Sequence, residues 1–126
     1  MLNLVSFPEK KLIWMQSQRF PQEITSFADF LEGAASTFGE RTALSIFAHN
    51  AWRTINFEDL HAESRRLAAV LQSAGLAKGD RVALLSENRP EWAMADVALQ
   101  CLGAINVPLY HTLSDVQIQR LLEHSG

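Results

Sequence analysis

Four histidines (His49, His61, His111 and His124) and a single cysteine, Cys101, are the side chains best suited to hold a metal or act as a nucleophile. No histidine stands at metal-ligand spacing from another or from Cys101, so no zinc site is expected. Lys78 lies between two glycines, in Gly75-Leu76-Ala77-Lys78-Gly79-Asp80. This stretch precedes an apolar run, whereas a phosphate-cradling loop follows one, so it reads as a turn. G-x-x-x-x-G-K-[ST], G-x-G-x-x-G and G-x-S-x-G are all absent. Glu58, Asp59 and Glu63 share one helix beginning, where negative charge suits the macrodipole without any acid–base role. Arg65-Arg66 suits a solvated helix face better than a phosphate grip, and Trp92 suits a core better than a ligand platform.

One hint of a site comes from position. In open parallel sheets, ligands sit beyond the carboxyl ends of the strands. Here those ends are Ser86-Glu87-Asn88-Arg89 and Pro108-Leu109-Tyr110-His111-Thr112. Polar groups there can touch a ligand, but Asn88 and Glu91 already have capping duty, and capping and packing is the favoured reading of both loops.

These two loops belong to a strand–helix–strand unit spanning Asp80–Tyr110. Val82-Ala83-Leu84-Leu85 is nearly continuous in apolar residues, as in a strand covered on both faces. A helix follows to Leu102, with Asn88 as N-cap, Glu91 reaching back to it and Pro90 in the first turn. Only Asp96 and Gln100 interrupt its apolar surface, so it must be packed on most of its circumference. Gly103 stops it. Ala104-Ile105-Asn106-Val107 forms a second strand closed by Pro108, which implies a right-handed crossover between parallel strands.

The other elements cover or extend this unit. Ser26 with Asp29 opens a helix whose stripe is Phe27, Phe30, Leu31, Ala34, Ala35 and Phe38, ending at Gly39. Thr42–Ala48 alternates as a strand, His49-Asn50 reverses it, and Trp52-Arg53-Thr54-Ile55 returns as a hairpin beside the parallel strands. Asn56 caps a helix through Phe57, Leu60, Leu67, Ala68 and Leu71 that closes at Gly75. Ser114 with Gln117 opens a last helix through Val116, Ile118, Leu121 and Leu122. Residues 1–25 form an N-terminal arm. Its apolar Leu12, Ile13, Trp14, Met15 and Phe20 fit a segment lying across a body as well as a partly ordered terminus.

A chain of 126 residues with 48% apolar residues is globular and fits one domain. Its net charge of −3 gives no basic surface for nucleic acid. No signal peptide and no transmembrane run is visible, and one cysteine cannot form an internal disulfide; the expected location is cytoplasmic.

R-T-I-N-F-E-D-L (53–60), G-L-A-K-G-D-R-V-A-L-L-S-E-N-R-P-E-W (75–92) and Q-C-L-G-A-I-N-V-P-L-Y (100–110), in this order, closely resemble the start of AMP-forming acyl-CoA synthetases, of the adenylate-forming superfamily. Ile55–Leu60 resembles the family phrase L-T-Y-x-E-L, and Leu102–Tyr110 its second core phrase. S-E-N-R-P-E-W and P-L-Y-H-T-L are most similar to the long-chain fatty-acid branch. The resemblance implies an α/β fold: a partial N-terminal subdomain of the acyl-CoA synthetase-like fold, with a parallel βαβ unit, a β-hairpin and covering helices. Residues 26–126 would be the incomplete front part of the large N-terminal AMP-binding (adenylation) domain.

The chemistry the family implies is attack of a fatty-acid carboxylate on ATP, giving an acyl-adenylate, followed by transfer to coenzyme A. The full-length family uses ATP, Mg²⁺ and coenzyme A; none is expected bound to this chain. The family's T-S-G-T-T-G loop, Y-G-x-T-E phrase and C-terminal lysine lie downstream of the matching phrases, so no catalytic, cofactor-binding or metal residue is assigned here. The chain is expected to be the inactive front of a long-chain fatty acid–CoA ligase, partnered by the missing downstream part of its own chain. Its unfinished sheet is expected to self-associate. The alternative is a self-standing α/β binding or interaction module without ligase activity.

Overall fold

The computed structural model describes residues 23–126, so most of the expected N-terminal arm lies outside the described residues. Helix α1 (Phe27–Phe38) is followed by strands β1 (Thr42–Ala48) and β2 (Ala51–Asn56), then helix α2 (Phe57–Ser73). Strand β3 (Arg81–Leu85), helix α3 (Pro90–Leu102), strand β4 (Ile105–Leu109) and helix α4 (Asp115–Ser125) complete the order.

Local chemistry accounts for most of the boundaries. At the start of α1, the Ser26 Oγ accepts from the Asp29 N–H at 3.1 Å, and the Asp29 carboxylate accepts from the Ser26 N–H at 2.9 Å. Hydrogen bonds from Thr25 and Ser26 hold the Asp29 carboxyl below its ordinary range. The Asn56 Oδ1 accepts from the Asp59 N–H at 2.6 Å and opens α2. At the end of α2, Gly75 N–H donates to the Gln72 carbonyl and Leu76 N–H to the Leu71 carbonyl, a Schellman closure. His49 and Asn50 both take positive φ, at 52° and 62°, which twists the two-residue turn to match the β1–β2 strands.

The beginning of α3 differs from the expectation. Its N-cap is Arg89, extended at φ −151° and ψ 157°, with no side-chain cap bond, and Pro90 is the first helical residue. Proline forces the residue before it out of the helical region, so the helix cannot start at Asn88. At the other end of the crossover, β4 runs past Pro108 to Leu109. A proline fits a strand wherever its nitrogen has no ladder partner.

The strands form two separate sheets, not one. β1 and β2 pair antiparallel, with Ser45 opposite Thr54 and Phe47 opposite Trp52. β3 and β4 pair parallel, with Ala83 opposite Val107 and Leu85 opposite Leu109. The hydrophobic core lies between the hairpin and the helices: Leu31 of α1, Ile55 of β2, Leu60 of α2 and Val97 of α3 pack together, flanked by Leu44 and Met94. Around α3, Val97, Ala98 and Leu99 are buried and only Gln100 is fully exposed, as expected of a central helix. Ala98 and Ser64 have no exposed surface at all, small side chains where α2 lies against α3.

Asp96, expected to face water, is half-buried. It accepts from the Asn106 amide of β4 at 2.7 Å and from Gln100 at 2.8 Å, fastening α3 to the sheet it crosses. The face carrying Val82 and Asn106 is therefore the α3 face. On the opposite face Ala83, Leu85 and Ile105 are exposed, so β3 is not covered on both sides. Helix α4 has no buried residue; Val116, Leu121 and Leu122 are all exposed. No helix among the described residues is long and apolar enough to cross a membrane.

Candidate functional site

The two loops at the carboxyl ends of β3 and β4 come together as their position implied. Ser86, Asn88, Trp92, Pro108, Leu109 and Tyr110 line a cleft of about 290 Å³. The parallel register places these ends side by side: Leu84 pairs with Pro108 and Leu85 with Leu109, so each following loop leaves at the same level. Trp92 enters from the first turn of α3. It is half-buried and forms a wall of the cleft, a placement that reading it as core had missed. Its position four residues after Asn88, one helical turn on, was the available signal. His111 and Thr112 do not line the cleft.

Arg89 is turned to another task. Its Nε donates to the Glu91 carboxylate at 2.9 Å, and Arg53 Nη1 of β2 reaches the same carboxylate at 3.4 Å. The hydrogen bond from Arg89, with a backbone hydrogen bond and the charge of Arg53, pulls the Glu91 carboxyl down to about 2. The same contact raises the Arg89 guanidinium. This bridge ties the hairpin to the amino end of α3, one turn from the cleft.

The bridge gives a pH-dependence. A depressed carboxyl contributes stability above its unfolded value, near 4.5, and that contribution disappears as pH falls toward 2. Because the Glu91 side chain is 43% exposed, its contribution is screened to no more than about 1 kcal/mol. Urea midpoints of the protein and of Glu91→Gln should therefore differ modestly at pH 6 and converge by pH 2. A constant difference across that range would place the effect elsewhere.

Chemically, the cleft offers aromatic walls, the Asn88 amide and the Ser86 hydroxyl, which donates to the Glu87 carbonyl at 3.0 Å. Among the described residues no carboxylate, histidine or lysine lines it, and its polar side-chain groups are the Asn88 amide and the Ser86 and Tyr110 hydroxyls. The other candidate residues stay apart. Among the described residues no group of three or more His, Cys, Asp or Glu is placed to hold a metal ion. Cys101 is half-buried beside a second cavity, of about 270 Å³, shared with Arg65 and Gln72. Burial pushes its thiol up, with Arg65 pulling weakly the other way, which leaves it a poor nucleophile.

A parallel strand–helix–strand unit with a cleft beyond its strand ends, flanked by a capped hairpin and covering helices, defines an α/β architecture. Residues 31–126 match the family of AMP-binding enzymes, and the chain belongs to that family. It is 36% identical to long-chain-fatty-acid–CoA ligase FadD15 of Mycobacterium bovis over 74 residues, covering 59% of this chain and 12% of that protein. It is 36% identical over 93 residues to crotonobetaine/carnitine–CoA ligase of Salmonella paratyphi A, covering 72% of this chain and 18% of that one. The fold matches the N-terminal subdomain of Klebsiella oxytoca NpsA with a TM-score of 0.72 and 33% identity, over 79% of this chain and 25% of that one. The chain thus spans well under a quarter of the length of each of these two ligases. The mixed α/β arrangement is that of part of the N-terminal subdomain of adenylate-forming enzymes.

Proposed function

We propose that this chain supplies the front scaffold of an ATP-dependent, AMP-forming ligase that activates a long-chain fatty acid as acyl-adenylate and passes it to coenzyme A. The observation that carries this reading is the family match over residues 31–126, on a chain whose relatives include a long-chain-fatty-acid–CoA ligase. In this reading residues 1–25 are an arm, and residues 26–126 are the first part of the adenylation domain. Their work is to build the β3–α3–β4 layer against which the rest of that domain packs. ATP, Mg²⁺ and coenzyme A would be held by residues outside this chain, so the chain alone has no ligase activity. Such a ligase draws ATP and coenzyme A from the cytoplasm. The exposed Ala83, Leu85 and Ile105 face supports a packing partner, either the remainder of the enzyme or, in isolation, a second copy.

A chimera tests this reading. The 74 aligned residues of this chain replace their counterparts in the mycobacterial ligase FadD15, and palmitoyl-CoA formation is measured. The expected result is a folded enzyme that retains ATP- and palmitate-dependent turnover, while this chain by itself gives no pyrophosphate exchange. A folded chimera without turnover, or exchange by the chain alone, would overturn it.

A further inference from the structure

We draw no further inference here: the strongest candidate, the exposed Phe47 and Trp52 ring pair on the outer face of the β1–β2 hairpin, is an apolar patch for which nothing in the structure shows what covers it.

Discussion

Leu99→Ala is expected to destabilise the protein by about 2–5 kcal/mol, a large share of the roughly 5–15 kcal/mol a domain normally has. Leu99 is 1% exposed and is the largest fully buried side chain among the described residues. It lies in the middle of α3 between Ala98, with no exposed surface, and Gln100, which faces water. Truncation there leaves a void that a regular helix cannot close by sliding, because neighbouring Val97 is already committed to the core with Leu31, Ile55 and Leu60. The damage should extend to the cleft, since α3 carries Trp92 into it. Val116→Ala is the matched control: Val116 is 58% exposed on α4, and its truncation should stay within about 0.5 kcal/mol. Urea denaturation followed by circular dichroism measures both. Equal midpoints for the two variants would mean that α3 is not the helix around which the fold is organised.

That organising role could be read from α3's composition alone, as could every boundary set by a local device. Ser26 with Asp29, Asn56 and the His49-Asn50 reversal each act within four residues, and chain order contains all the information they need. Misreadings arose where a second constraint competed or where the partner was distant. Asn88 has the side chain of a good cap, but the restriction that Pro90 places on Arg89 is steric and prevails. Asp96 looked solvated because its partner Asn106 lies on a strand that only the crossover brings near. The apolar run of β3 suggested cover on both faces, and its second face stands open among the described residues. Likewise, the apolar pattern along the strands does not show that hairpin and parallel pair hydrogen-bond as two separate sheets.

The site was legible to the same depth. Topology placed the cleft, because parallel strands in register deliver their carboxyl ends to one place. Its occupants were less predictable. Glu91 was expected to serve the cap, yet it joins Arg89 to Arg53 of the hairpin, a long-range contact no spacing rule contains. The resemblance legible in the sequence rests on ordered phrases such as S-E-N-R-P-E-W and N-V-P-L-Y. Seen in the structure, these phrases specify a helix start, a cleft wall and a strand end. The family match over residues 31–126 thus coexists with a cleft that, among the described residues, is lined by no carboxylate or imidazole.

Gly103→Val is expected to cost about 1–3 kcal/mol, the range for a side chain forced into a sparsely populated backbone region. Gly103 has φ 69° and ψ 21°, the left-handed conformation that closes α3. Its N–H donates to the Gln100 carbonyl at 3.1 Å, and the following Ala104 N–H reaches the Leu99 carbonyl at 3.0 Å. The Gly103 carbonyl accepts from Gly79 N–H at 2.9 Å, so this residue also joins the turn before β3 to the turn before β4. A Cβ here would stand 3.0 Å from Lys78 Cγ, but that side chain is long and free to swing away. Dihedral strain, not the contact, should therefore set the cost. A series separates the two: Gly103→Asn should lose least because asparagine tolerates the left-handed region, Gly103→Ala about 1 kcal/mol, and Gly103→Val most. If the contact dominated, Gly103→Asn would be as damaging as Gly103→Val, and adding Lys78→Ala would restore both. Under dihedral control Lys78→Ala restores neither, because relieving the neighbour does nothing for a backbone that must turn left-handed to bring β4 alongside β3.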